Sequence, residues 1–296
     1  GPQPNIISVN AAMTACEKGR AWTLTLLMLD ELWSVGPRPS TISVNAGISA
    51  CGRGVRWSAA IDLLDSMPSR KLRPSTASFS SAMRACGDAL EWEQALRLFR
   101  RAVREGHGTD PTSCNVALTA LADAHRWALA LDVLRSMCGG RAGLARPTVV
   151  SYDSVASACS KAHETRLALR LIDDVPESGL EPSAITFAIA MGACAMAHHW
   201  ERALGLHAEV VARGEPPTQS GMSAVVAACA NAALWPLAVR LAEEMPAFGL
   251  EPNNRTVRAA LMPPLLEAGR KSQALGLFRA AGIATNFGGG APPPPP

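Results

Sequence analysis

Ala50-Cys51-Gly52-Arg53-Gly54-Val55-Arg56-Trp57 decides the fold, because its frame returns along the chain. An Ala-Cys pair, five residues and a Trp recur as Ala15-Cys16 to Trp22, Ala85-Cys86 to Trp92, Ala193-Cys194 to Trp200 and Ala228-Cys229 to Trp235. Ala158-Cys159 is followed by Thr165 in the Trp place, and Ala120-Leu121 keeps Trp127 but has lost the Cys. The steps Cys16 to Cys51 to Cys86 and Cys159 to Cys194 to Cys229 are all 35 residues. A fixed period of this size is the mark of an array of stacked structural units.

Composition agrees with an array and narrows its chemistry. At 296 residues the chain is near the upper limit for one core, a limit that stacked units escape. With 48% apolar and 18% charged residues it is not a disordered chain. A net charge of +3 permits a polyanion partner without requiring one. Six of the eight cysteines occupy the same place in successive units, which predicts free thiols in equivalent buried slots. No Cys-x-x-Cys occurs, so the spacing predicts no metal site. The longest apolar run, Phe187 to Ala197, is too short for a bilayer, which takes about 20 residues. No targeting segment is visible, and none of the patterns suggests a cofactor, a membrane or a small-molecule substrate.

Counting from the residue after a recurring Pro-x pair gives units 6–40, 41–75, 76–110, 111–148, 149–183, 184–218 and 219–253. A degenerate eighth unit covers 254–283, and a Gly/Pro-rich tail expected to be disordered covers 284–296. Unit four carries three extra residues, beside Gly139-Gly140-Arg141-Ala142-Gly143. Each unit reads as two helices. The third residue (Ser8, Ser43, Ser78, Ser113, Ser151, Thr186, with Gly221 the exception) is expected to cap the first, which breaks near Lys18-Gly19-Arg20 or Arg53-Gly54. The second opens near the Trp and carries an apolar stripe such as Ala60-Ile61-Asp62-Leu63-Leu64. It is expected to stop at Met67-Pro68, Val175-Pro176 and Met245-Pro246. The Trp reads as a buried wedge between units, and His125, His163, His198 and His199 as ordinary turn residues.

Helical spacing puts the second, fifth, ninth and thirteenth residues of a unit near one face of its first helix. These are Ile7, Asn10, Thr14 and Lys18 in unit one, and Ile42, Asn45, Ser49 and Arg53 in unit two. Asn10, Asn45 and Asn115 repeat one amide at the fifth place. The last residues, Ser40, Ser75, Asp110, Thr148, Ser183, Thr218 and Asn253, are all polar. From physics alone they are turn and cap residues first, and a row of readers second.

At these residues the chain resembles the pentatricopeptide repeat family, of the P class built only from 35-residue units. The resemblance covers about 6–283 and rests on the period, Ile-Ser-Val-Asn-Ala at 7–11 and 42–46, Cys-x-Lys-Gly at 16–19, the Ala-x-x-Leu-Leu/Phe second helix and the closing Pro. It implies an all-α right-handed superhelix, an α-solenoid of about eight helix-turn-helix repeats. It also implies selective binding of single-stranded RNA, one base per unit, without catalysis. The fifth and last residues would read the base: Asn10/Ser40, Asn45/Ser75, Ser80/Asp110, Asn115/Thr148, Asp153/Ser183, Ala188/Thr218 and Ser223/Asn253. The second residue (Ile7, Ile42, Ala77, Val150, Ile185) would sandwich it. Lys18, Arg53 and Lys161 would face phosphate. The family's pairing rule then implies C-C-G-pyrimidine-any-any-A. Asp153 and Ala188 depart from the pattern and leave units five and six silent, and Asp88 and Asp123 replace the basic thirteenth residue. The setting implied is RNA stabilisation, processing or translation in a plastid or mitochondrion, alongside other RNA-processing proteins. The alternative is an α-solenoid scaffold that binds protein segments along the same groove.

Overall fold

The computed structural model describes residues 5–19, 21–34, 38–107, 110–140 and 143–250. Asn253, the eighth unit (254–283) and the tail (284–296) lie outside the described residues. The fold is an all-α repeat solenoid, and among the described residues there is no strand. The first helices are α1 (Ile6–Lys18), α3 (Thr41–Arg53), α5 (Thr76–Asp88), α7 (Pro111–Asp123), α9 (Val149–Lys161), α11 (Ala184–Met196) and α13 (Gln219–Asn231). The second helices are α2 (Trp22–Ser34), α4 (Trp57–Ser69), α6 (Trp92–Arg104), α8 (Trp127–Cys138), α10 (Thr165–Glu177), α12 (Trp200–Ala212) and α14 (Trp235–Glu244), the last followed by a 3-10 turn, Met245–Phe248. The chain divides between α9 and α10 into two compact bodies. In the first body each first helix packs on the next first helix, and each second helix packs on its own first helix and on the following one. The second body repeats this, with α11 on α13 and α12 on both.

Small residues let the first helices approach. A Cβ placed on Gly52 would stand 3.2 Å from Ala85 Cβ, and one on Gly87 3.2 Å from Ala120 Cβ. Cys51 and Cys86 sit fully buried beside these contacts, where burial pushes their thiols up from about 9 to about 11 and about 12. Of the six cysteines expected to be buried, Cys16 departs and is half-buried; Cys138, outside that set, is exposed. The second helices stand further apart, and a groove of about 600 Å³ opens between α6 and α8 over Leu96, Phe99, Leu129 and Val133.

The Ala-Cys frame is the geometry of one tight turn. Arg56 N–H donates to the Cys51 carbonyl (2.8 Å), Glu91 to Cys86 (2.9 Å) and Arg126 to Leu121 (2.8 Å); in the second body His199 donates to Cys194 (2.9 Å) and Leu234 to Cys229 (2.9 Å). Each bond spans five residues and closes a Schellman turn around one left-handed residue. Those residues are Val55 (φ 54), Leu90 (φ 61), His125 (φ 56), His198 (φ 59) and Ala233 (φ 60), and His163 (φ 63) is left-handed at the equivalent place. The next helix starts one residue after the donor, which fixes the Trp six places after the Cys. Gly54 is therefore not the left-handed residue, its φ being −87. It is small because a Cβ there would lie 2.7 Å from the Trp22 ring. Trp22, Trp57, Trp92, Trp127, Trp200 and Trp235 are half-buried, not the fully buried wedges expected, and Arg56 and Arg126 cover Trp22 and Trp92 at 5.5 and 4.7 Å from the ring centres.

Two further expectations are corrected. The helix cap is the last residue of the preceding unit (Ser40, Ser75, Asp110, Ser183, Thr218) and not the third, because the first residue is already helical. The third residue is the reciprocal half of a capping box at Ser43, Ser78, Ser151 and Thr186. Nor does Pro end the second helix at Pro68 or Pro176, which lie inside α4 and α10. The last turn tolerates the missing N–H, and the helices stop at left-handed Lys71 (φ 61) and Gly179 (φ 74), where Leu72 N–H reaches Met67 O at 2.9 Å and Leu180 N–H reaches Val175 O at 3.2 Å.

Two outcomes follow from these turns and burials. A β-branched residue in the left-handed region is strained, so Val55→Gly is expected to stabilise the fold by about 1 kcal/mol, read from denaturant midpoints; an unchanged or lower midpoint contradicts the strain. Thiols held protonated by burial should resist alkylation at pH 8, where Cys138 is labelled first and Cys51 and Cys86 last. Because the folded thiols titrate above their unfolded value, their contribution to stability is complete below about pH 9 and is lost as pH rises towards about 11 for Cys51. Cys51→Ala should flatten the fall of the melting temperature across that window, and a slope identical to wild type would refute it.

Candidate nucleic-acid interface

The line of first helices carries the candidate site. The second residues stand out from it: Ile7 is 71% exposed, Ile42 66% and Val150 54% in the first body, and Ile185 62% in the second. Ala77 is exposed too, as are the second residues of units four and seven, Thr112 and Ser220. A bare branched side chain repeated at the unit period offers flat apolar area to a planar group.

Next to each lies a candidate reader pair, and where the fifth residue is Asn the first-helix packing closes it. Asn10 Nδ2 is 3.5 Å from Ser40 Oγ, and Asn115 Nδ2 donates to Thr148 Oγ1 at 3.2 Å. Both partners of these pairs are half-buried, which leaves part of each in solvent. Ser40 and Thr148 thus cap the next helix and meet the fifth residue at once. The turn-residue and reader readings of these positions are compatible.

A third residue joins the pair, one that sequence reasoning treated only as a cap. Ser43 Oγ donates to Asn10 Oδ1 at 2.7 Å, Ser78 Oγ to Asn45 Oδ1 at 2.7 Å, and Ser151 Oγ to Asn115 Oδ1 at 2.6 Å. The hydroxyls of Ser80 and Ser113 stand 2.8 Å apart in the same relation. The signal in the sequence was the co-occurrence: every Asn at the fifth place is followed by Ser at the third place of the next unit. Unit three ends instead on a carboxylate, Asp110, whose Oδ1 accepts from Thr112 N–H at 3.3 Å.

Units five and six differ. Asp153 is buried on α9. Ala188 is buried on α11, and α13 presses against it: a Cβ on Gly221 would lie 3.6 Å from Ala188 Cα and 2.7 Å from Met191 Cε. Packing fills the slot that a reader would occupy. Ser183, Thr218 and Ser223 are half-buried, with Ser183 Oγ and Thr218 Oγ1 accepting from Thr186 and Gly221 N–H at 3.2 and 3.1 Å.

The basic thirteenth residues are less available than their spacing implied. Arg53 donates to Glu17 Oε1 from Nε and from Nη2 at 3.3 and 3.2 Å, and the same oxygen takes a 2.6 Å bond from Ser49. Lys161 Nζ lies 3.9 Å from Asp123. Lys18 is exposed and has no ion-pair partner among the described residues. No group of His, Cys, Asp or Glu among the described residues is placed to hold a metal ion. No helix among them is long and apolar enough to cross a membrane.

The sequence model of the pentatricopeptide repeat domain matches residues 141–196, and that of the single repeat matches 77–107. Those two stretches match pentatricopeptide repeats. Its fold is similar to the crystal structure of the pentatricopeptide repeat protein PPR10 from maize, with a TM-score of 0.67 and 22% identity over 96% of this chain and 41% of that one. PPR10 in complex with an 18-nt psaJ RNA element matches at 0.58 and 19% identity, over 95% of this chain and 45% of that one. The pentatricopeptide repeat domain of Arabidopsis thaliana protein-only RNase P 1, in complex with tRNA, matches at 0.52 and 14% identity, over 66% of this chain and 98% of that one. The chain spans about two fifths of the length of PPR10. A search among curated proteins finds no sequence relative.

Proposed function

We propose that this pentatricopeptide repeat chain binds single-stranded RNA selectively, one base to a repeat, through the line of first helices. The carrying observation is the alternation along that line. Exposed Ile7, Ile42 and Val150 stand beside half-buried Asn10/Ser40, Asn45/Ser75 and Asn115/Thr148. Stacking against apolar side chains suits any base, whereas paired donors and acceptors discriminate between bases. Two pentatricopeptide structures of like fold contain RNA, which supports the same ligand class here. The reading assigns cytosine to units one and two, guanine to unit three through Ser80 and Asp110, a pyrimidine to unit four, and no preference to units five and six. It assigns the chain a role as a binder of an organelle transcript, and no reaction of its own.

Selection from a random RNA pool tests the reading directly. Enrichment of C-C-G-pyrimidine supports it, and a pool without any shared sequence refutes selectivity. Asp110→Asn exchanges an acceptor for a group that also donates, so preference at the third base should move from guanine towards adenine. Equal ranking of the four bases by both proteins would leave Asp110 as a cap alone.

The ion pairs make a second outcome. Glu17→Gln releases Arg53, so RNA affinity should rise and the salt slope, d log K/d log [salt], should steepen by about 0.7, one phosphate contact on a single strand. An unchanged slope would place Arg53 away from the RNA.

A further inference from the structure

The hydroxyls of Ser43, Ser78 and Ser151 have a use that capping does not exhaust. Ser43 Oγ accepts from Ser40 N–H at 3.1 Å, which leaves its own proton for Asn10 Oδ1 at 2.7 Å. Ser151 does the same between Thr148 N–H (3.0 Å) and Asn115 Oδ1 (2.6 Å), and Ser78 between Ser75 N–H (3.0 Å) and Asn45 Oδ1 (2.7 Å). In each, the amide oxygen is turned towards the neighbouring helix and held there by a strong donor. The amide nitrogen is left on the side of the last residue, Ser40 or Thr148. Ser40 Oγ in turn accepts from Ser43 N–H at 3.3 Å and rests 3.2 Å from Ser43 Oγ, so what it can turn from that contact to a base is its proton.

We infer that the third residue of each following unit is a specificity-determining residue for the unit before it: by engaging the Asn oxygen, Ser43, Ser78 and Ser151 make units one, two and four present two adjacent donors, an amide N–H and a hydroxyl. This rests on the RNA-binding reading above and sharpens it. Two neighbouring acceptors on a pairing edge, N3 and O2, belong to cytosine. Uracil carries an N–H between its two carbonyls and would set donor against donor. Unit four, left above as a pyrimidine reader, is thereby assigned to cytosine over uracil.

The chain supplies its own contrast. Where the fifth residue is Ala188, with no amide to orient, the following third residue is Gly221, with no hydroxyl. Where it is Ser80, the following Ser113 bonds a hydroxyl at 2.8 Å, a group with one oxygen and no nitrogen to be told from it. The Asn-Ser pairing appears only where an oxygen and a nitrogen must be told apart.

The test measures the whole chain, as wild type, Ser151→Ala and Ser151→Thr, against four RNAs that differ only at the fourth base of C-C-G-x-A-A-A. Wild type should prefer cytosine to uracil by about tenfold, the scale of one well-made edge contact. Ser151→Ala should bring the two within about threefold, and Ser151→Thr, which keeps the hydroxyl as Thr186 does in its own slot, should restore the preference. Because Ser151→Ala also removes half of a capping box, melting temperatures are recorded with it, and Ser43→Ala, read at the first base, repeats the comparison at a second site. In the free protein the Asn115 side-chain amide resonances should shift in Ser151→Ala and stay near wild type in Ser151→Thr. A Ser151→Ala protein that weakens on all four RNAs alike, with the cytosine preference intact, overturns the inference and leaves RNA binding standing. Failure of wild type to bind any of the RNAs overturns both.

Discussion

The close approach of successive first helices is the constraint on which the rest depends. Side chains at the contact are reduced to Gly52 against Ala85 and Gly87 against Ala120, and each added Cβ would fall at 3.2 Å. Only at such spacing does Asn10 reach Ser40 and Ser43, or Asn115 reach Thr148 and Ser151. The reader is therefore not a property of one hairpin. It is assembled across a junction, from the fifth residue of one unit and the cap of the next. The same packing explains the cysteines. A thiol at full burial lies behind the contact at Cys51 and Cys86, and its backbone carbonyl closes the turn into the second helix. Leu121 shows that the carbonyl is the constant and the side chain the variable.

The silence proposed for units five and six has different physical origins. Unit six has given up its amide, and Ala188 with Gly221 allows α13 to close over the position, with Met191 filling the space. Unit five keeps a polar group, but Asp153 is buried, so its carboxylate is spent within the protein. Net charge tells a related story. The chain carries +3 overall, yet Arg53 and Lys161, both at the thirteenth place, lean on Glu17 and Asp123 of the preceding units. Cations committed to carboxylates contribute less to non-specific attraction. A larger share of any affinity must then come from the base edges and the exposed Ile and Val residues.

The period, the helical hairpins and the candidate face were legible because each repeats, and repetition averages out local ambiguity. The place of the break between the two helices was legible, but its conformation was not: Val55, Leu90 and three histidines are left-handed there, and residues of those types do not announce it in a sequence. Pro68 and Pro176 look like stops, yet a helix can carry Pro through its last turn when a left-handed residue ends it a few places on. The third-place serines were visible as caps. Their bond to the preceding Asn was not, because it joins residues 33 to 36 apart through a helix spacing that only the packed structure defines.

Stability and the proposed recognition are thus carried by the same hydroxyls. In a two-residue cap, the side-chain oxygens satisfy the exposed N–H groups of a helix start, and their protons remain to be placed. Here the proton of the inner hydroxyl goes to an amide oxygen, and that of the outer one is in reach of the inner oxygen at 3.1 to 3.2 Å. The folding requirement, two satisfied backbone donors, is met by any Ser or Thr. The recognition requirement adds a direction for the protons, and the neighbouring Asn supplies it. A consequence is polarity along the array: a unit can read only when the unit after it is folded against it, because its cap and its orienting hydroxyl both belong to that junction. Loosening one hairpin therefore removes two readers, its own and the one before it.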